Sequence, residues 1–225
     1  MEQKITFGKY KEKTLEVLSK DQQYSKWLIT QPWFKIKYKE QYKLLCEKIS
    51  EGTIYENDTN SIIIYTDGAC SNNGLSKNVR GGCGIYFSRE NKVKMEDISV
   101  KLKEAYELFQ GFEKYREEKD TNNKAELMAI LLALRRCVQS NIREKIIIYT
   151  DSEYSMKSIT LWFPEWERKG CKDKKQNIEI IERIRECMKY LNVRYEYIRA
   201  HTDLTDKHSL GNKEADKLAT GAHLN

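Results

Sequence analysis

Four acidic residues stand where chemistry, rather than packing, accounts for them. Asp67 ends the apolar run Ile62-Ile63-Ile64-Tyr65-Thr66, and Asp151 ends Ile146-Ile147-Ile148-Tyr149-Thr150. Each run reads as a buried strand, because consecutive apolar β-formers suit a covered sheet. A buried strand gains nothing in packing from a carboxylate at its tip, so the pair suggests a metal-binding or acid/base site. Glu126 falls in the first turn of a helical stretch, on the same face as Ile130. A carboxylate on a buried face is costly without a compensating partner, although an acid also favours a helix N-terminus. Asp216 follows Asn212 by four residues in the last helical stretch.

The elements that must position these acids can be read in order. The first strand leads through a loop to Gly81–Phe87, whose glycines and alternating apolar residues predict a strand paired antiparallel to it. Val93–Leu102 reads as a third strand. In Lys103–Asp120, Ala105, Leu108, Phe109 and Phe112 have helical spacing and predict a short helix or lid. Thr121 or Asn122 can cap the strongest helix, whose stripe is Leu127, Ile130, Leu131 and Leu134. The second Ile-rich strand then completes a strand–helix–strand crossover. Ser152–Leu161 reads as a helix broken at Trp162-Phe163-Pro164, followed by a basic run over 167–175. Ile178–Leu191 is amphipathic, with Ile181, Ile184 and Met188 inward, and Val193–Ile198 is a fifth strand.

Composition bounds the class. The chain has 225 residues, 40% hydrophobic and 33% charged, enough for one domain of about 150 residues with a small appendage. No apolar run of about 18 residues occurs, so no membrane span is expected. The N-terminus has no apolar signal core, and an intracellular setting, cytoplasm or nucleus, is expected. Six cysteines (46, 70, 83, 137, 171 and 187) form no C-x-x-C pair, which argues for reduced thiols and against zinc. The net charge of +6 is uneven: residues 1–50 hold 11 Lys against 6 acids (+5), and the remainder 29 basic against 28 acidic residues (+1). A basic segment beside a near-neutral body is a pattern of nucleic-acid-binding proteins.

Residues 1–50 read as a small basic α/β module, 51–60 as a polar linker and 61–225 as the main domain. Ile5–Lys11 suggests a strand or hairpin. Short helices follow around Leu15–Leu18 and Ser25–Ile29, the latter ended by Pro32, and around Gln41–Ile49 with Leu44, Leu45 and Ile49 inward. Trp27 and Trp33 are assigned to the module's core. The string Phe7-Gly8-Lys9-Tyr10-Lys11-Glu12-Lys13-Thr14 resembles a small domain appended to some exonucleases and other DNA-processing enzymes, particularly of large DNA viruses. That resemblance implies nucleic-acid contact by Lys9, Tyr10, Lys11 and Lys13, and a viral source is compatible with it.

In the main domain four motifs recur in one order. They are Asp67-Gly68-Ala69-Cys70 after a strand, Thr121-Asn122-Asn123-Lys124-Ala125-Glu126 opening a helix, and Tyr149-Thr150-Asp151-Ser152 after a second strand. The fourth is His201 followed by Gly211-Asn212-Lys213-Glu214-Ala215-Asp216. Together they resemble the type 1 ribonuclease H domain over about residues 61–221. The resemblance implies an α/β fold, with a five-stranded mixed sheet, its first three strands antiparallel, flanked by helices. It implies an endoribonuclease that hydrolyses the RNA strand of RNA/DNA hybrids, leaving 3′-hydroxyl and 5′-phosphate ends. Two divalent ions roughly 4 Å apart would serve the attacking and leaving oxygens. An all-carboxylate site favours Mg²⁺, with Mn²⁺ as a substitute.

By the same resemblance Asp67 would bridge the ions, Glu126, Asp151 and Asp216 would complete their shells, and His201 would assist water deprotonation or product release. Cys70, Asn72, Asn73, Asn122 and Asn123 would meet the RNA strand, whose 2′-hydroxyl suits groups that both donate and accept. Trp162 would pack on a deoxyribose of the DNA strand. Thr121 and Asn177 would form a phosphate pocket, with Lys119 where an arginine is common, and Asn212 belongs to the last motif. A monomer is expected, and the N-terminal module could take hybrid, double-stranded RNA or double-stranded DNA. The chain departs from the family where Cys171 replaces a tryptophan after the Lys-x-Gly turn, and in the length of the 103–120 insertion. Two other readings stay open here. One is a different nuclease of the superfamily, of junction-resolvase or strand-transfer type. The other is a catalytically silent hybrid-binding protein.

Overall fold

The structure is a computed structural model and describes residues 4–19, 21–29, 31–52, 60–71, 80–199 and 206–224. The chain divides into two compact units, residues 1–59 and 60–225. Among the described residues no helix is long and apolar enough to cross a membrane.

The first unit is built from helices α1 (Leu15–Ser19), α2 (Gln22–Ile29), α3 (Pro32–Lys37) and α4 (Lys39–Gly52). Among its described residues the β content is one bridge, Lys4 to Thr14, which closes a hairpin over residues 5–13. Ile5, Leu18, Leu28, Phe34 and Leu45 form its core. Three expectations change here. Pro32 does not merely end a helix; it begins α3, at a position where its missing N–H costs nothing. Leu44 points outward while Leu45 is buried, since adjacent helical positions cannot both face one small core. Trp27 and Trp33 are 50% and 42% exposed rather than buried, because five core side chains leave no room for two indoles.

The second unit is one five-stranded sheet in the order β3-β2-β1-β4-β5. Its strands are β1 (Ile62–Cys70), β2 (Gly81–Phe87), β3 (Ile98–Lys101), β4 (Ile146–Thr150) and β5 (Val193–Tyr197). The pairs β1–β2 and β2–β3 are antiparallel, and β1–β4 and β4–β5 are parallel. This is the mixed sheet expected from the sequence. The isoleucine runs make β1 and β4 its buried centre, and the register sets Thr66 beside Thr150. Asp67, still paired with Gly84 within β1, therefore lies beside Asp151, the residue after β4 ends.

Helices cover both faces. On one lies α7 (Asn122–Gln139), buried along Ala125–Leu134 and at Cys137, with α10 (Ile178–Met188) packed beside it through Ile180, Ile181 and Ile184. The insertion before α7 folds as α5 (Leu102–Glu107) and α6 (Glu113–Glu117), adding Leu102, Tyr106, Phe112 and Tyr115 to the core. Leu108, at helical spacing from Ala105, is half exposed, because α5 ends just before it. On the opposite face α11 (Lys207–Leu224) lies so close that a Cβ on Gly84 would sit 2.1 Å from the Ala215 carbonyl oxygen, and one on Gly82 2.2 Å from that of Ala219. Tyr65 on the same face packs on Gly211 and Tyr149. After β4 the chain runs through α8 (Glu153–Lys157), a π-helical turn Ser158–Trp162 and α9 (Phe163–Arg168). The helix expected to break at Trp162 continues, since Pro164 occupies the first turn of α9.

Candidate active site

The site forms on β1 at Asp67 and just past the end of β4, beneath the N-terminus of α7. Gly68 makes this possible, for a Cβ there would lie 2.1 Å from the Glu126 backbone nitrogen. A strand with any side chain at this position would hold α7 off, and Glu126 with it. Thr121 caps the helix, its Oγ1 accepting from the Lys124 N–H. Lys124 is itself buried and donates to Glu118 and to the Lys119 carbonyl. Asp120 anchors the approach to α7 by accepting from the Gly81 N–H at 2.9 Å.

Asp67, Glu126 and Asp151 converge, with one oxygen of each lying within 4.8 Å of the others. Burial pushes the Asp67 carboxyl up to about 7, and the charges of Asp151 and Asp216 add to this. Glu126 is raised well above the usual carboxylate range, first by burial and then by Asp67 and Asp151. The Gly68 N–H opposes the rise at both carboxyls. One Glu126 oxygen, Oε2, is buried without a hydrogen-bond partner. Three converging carboxyls, two with strongly disfavoured charge and one oxygen unsatisfied, are what a hard divalent cation compensates. The donor set is all oxygen, which fits Mg²⁺ or Mn²⁺ and not a thiolate-seeking metal.

The last helix brings two more polar groups to the cluster. Asn212 is buried and donates from Nδ2 to Asp151 Oδ2 at 3.0 Å. One turn on, Asp216 stands outside the tight triplet, close enough that its charge raises Asp67, and accepts from Thr220 Oγ1 at 3.3 Å. At the start of α11 the His208 ring lies 4.3 Å from that of Tyr149, with Nδ1 3.1 Å from the Tyr65 hydroxyl.

The remaining candidate residues divide by place. Cys70 is half-buried beyond Asp67, and burial pushes its thiol up to about 12. Asn122 and Asn123 occupy the first turn of α7, Asn123 exposed. Asn177 is left-handed (φ 58°) at the start of α10 and donates to the Tyr154 hydroxyl at 3.1 Å. Trp162 is half-buried between Tyr154, which it meets edge-on, and Trp166. Asn72, Asn73 and His201 lie outside the described residues. In the first unit Lys9 and Tyr10 both bond to Asp21, while Lys11 and Lys13 are exposed. Sequence reasoning passed over Asp120, Tyr154, Trp166 and Thr220. Of these, Thr220 was accessible, standing one helical turn after Asp216.

A mixed sheet of this order, with one acid on a central strand and another just past the end of its neighbour, defines the class. The sequence model of the RNase H family matches residues 59–223, and the chain belongs to that family. Among curated relatives, the Ribonuclease H of Schizosaccharomyces pombe is 35% identical over 178 residues, covering 74% of this chain and 57% of that protein. The Ribonuclease H1 of Mus musculus is 28% identical, covering 71% and 49%. The Ribonuclease H of Pseudomonas aeruginosa is 32% identical, covering 72% and 93%. The chain thus spans about half the length of the first two. In fold it resembles the PFV RNase H domain, with a TM-score of 0.55 and 24% identity, covering 72% of this chain and 94% of that one. It resembles LC9-RNase H1, a type 1 RNase H, equally, with a TM-score of 0.55 and 22% identity, covering 75% and 74%.

Proposed function

We propose that the protein is a ribonuclease H, an endonuclease that hydrolyses the RNA strand of RNA/DNA hybrids to 3′-hydroxyl and 5′-phosphate ends. The observation that carries this reading is the convergence of Asp67, Glu126 and Asp151, with an unsatisfied buried oxygen on Glu126. Asp67, Glu126, Asp151 and Asp216 would hold two Mg²⁺ ions, or Mn²⁺ in their place. Bound there, divalent ions supply positive charge at the scissile phosphate and a water of lowered pKa. Asn212 fixes the orientation of the Asp151 carboxylate, and Gly68 holds Glu126 at the depth of Asp67. Asn122, Asn123 and Cys70 would meet the RNA strand. Tyr154, Trp162 and Asn177 offer an aromatic surface and an amide for the DNA strand. His201 would take part in proton movement during turnover.

Cleavage of hybrid, duplex RNA and duplex DNA of one sequence, with Mg²⁺ and with Mn²⁺, tests the proposal. Hybrid alone should be cut, and Asp67→Asn should bind it without cutting. Cleavage of duplex DNA, or undiminished cutting by Asp67→Asn, would overturn the assignment.

A further inference from the structure

The first unit carries a surface that the hydrolytic site does not use. Trp27 meets Tyr24 at 5.3 Å between ring centres, and Tyr24 meets Tyr10 at the same distance. Gly8, two residues before Tyr10, is seated against the Tyr24 hydroxyl. Phe7 then meets Trp33 at 5.3 Å and Tyr38 at 4.4 Å. The hairpin over residues 5–13 thus joins two aromatic rows, each ending on a half-exposed tryptophan.

Cations accompany the rings. Lys9 lies over Tyr10 and Tyr24, Lys37 over Tyr38 and Lys35 over Tyr42. The first 50 residues carry the +5 balance of 11 Lys against 6 acids. Half-exposed indoles among lysines fit a polyanion that also presents flat apolar faces. Duplexes keep their bases stacked on one another, whereas single strands offer them to protein rings.

We propose that this aromatic and basic face of the N-terminal unit binds single-stranded nucleic acid, with Trp27 and Trp33 stacking on unpaired bases and Lys35 and Lys37 neutralising phosphates. The role falls on different residues from Lys11 and Lys13, and Lys9 serves it less because Asp21 already holds its charge. The inference is independent of the hydrolytic reading.

The test is an anisotropy titration of the full-length chain, in EDTA at low salt, with a fluorescein-labelled oligo(dT) of about 20 nucleotides, a length that spans more than one such platform. The Trp27→Ala/Trp33→Ala variant should weaken oligo(dT) binding about ten-fold or more, the scale of losing stacked bases. Its binding of a duplex DNA and its cleavage of a short hybrid should stay within about two-fold. The Trp27→Tyr/Trp33→Tyr variant, which keeps rings at both places, should retain oligo(dT) binding and guards against misfolding of the alanine variant. Oligo(dT) affinity unchanged in the alanine variant, equal losses on duplex and single strand, equal losses in the tyrosine and alanine variants, or no oligo(dT) binding by the parent chain would each overturn the proposal.

Discussion

Asn212 donates from its side-chain amide to Asp151 Oδ2 at 3.0 Å, joining the last helix to the end of β4 across 61 positions of sequence. Among the described residues Asn212 bonds to Asp151 and to no other of the converging carboxyls, so its effect passes through the orientation of Asp151. Asn212→Ala should therefore weaken Mg²⁺ affinity by about ten- to a hundred-fold, as loss of a ligand's hydrogen-bond partner does. Rate against Mg²⁺ concentration checks this: the half-saturating concentration should rise, with much of the maximal rate recovered at high Mg²⁺. A lowered maximal rate at unchanged half-saturation would contradict it.

Asp67→Asn should have opposite effects on activity and on stability. Removing one of the crowded carboxyls relieves burial and repulsion in the metal-free fold. The variant should melt a few degrees higher in EDTA at pH 8, about 2–4 °C for each kcal/mol relieved. Its hybrid cleavage should fall at least about a hundred-fold, an order consistent with loss of electrostatic stabilisation. Calorimetry and single-turnover cleavage measure the two.

Gly68→Ala should fail for steric reasons. The new methyl would meet the backbone of Ala125 and Glu126 at 2.3 and 2.1 Å, and backbone in the first turn of a buried helix cannot step aside. A cost of about 3 kcal/mol or more is expected, at the upper end for overpacking. Urea unfolding would show it, and a loss under about 1 kcal/mol would mean that α7 can shift.

The pH dependence of the metal-free protein follows from Asp67. Its folded carboxyl titrates at about 7 against an ordinary value of 3.8, so between those values the folded state binds more protons than the unfolded one. Stability from this group is then complete below about pH 4 and is lost as pH rises through 7. In EDTA the melting temperature should fall from pH 5 to pH 8, and less so in Asp67→Asn. Bound Mg²⁺ favours the ionised carboxylates, so its stabilisation should grow over the same interval. Thermal melts at several pH values, with and without Mg²⁺, check both.

Much of the second unit was legible because its signals are local. Two isoleucine runs ending on Asp67 and Asp151 make parallel central strands, and Thr121 with Glu126 marks a helix start. What escaped depends on distant or competing contacts. The bond from Asn212 to Asp151 leaves no mark in spacing. Pro164 reads as a breaker, yet it is harmless in the first turn of α9. Trp27 and Trp33 count as core by hydropathy, although a unit centred on Ile5, Leu18, Leu28, Phe34 and Leu45 has no volume for them. Leu44 and Leu45 are equivalent by type, and only the packing of α4 chooses between them.

Gly82 and Gly84 seat α11 by its own carbonyls, those of Ala219 and Ala215, with the Cβ atoms of Ala222 and Leu218 beside them. Asp216 lies between those two contacts. Its place relative to Asp67, which pairs with Gly84 across β1 and β2, is thus set by main chain resting on main chain. Such a spacing does not drift when neighbouring core side chains exchange for others of similar volume, and it has no soft response to an added methyl. The core around this site can therefore vary widely in sequence while the separation of its acids stays fixed, with the tolerance for change exhausted at two positions that carry no side chain.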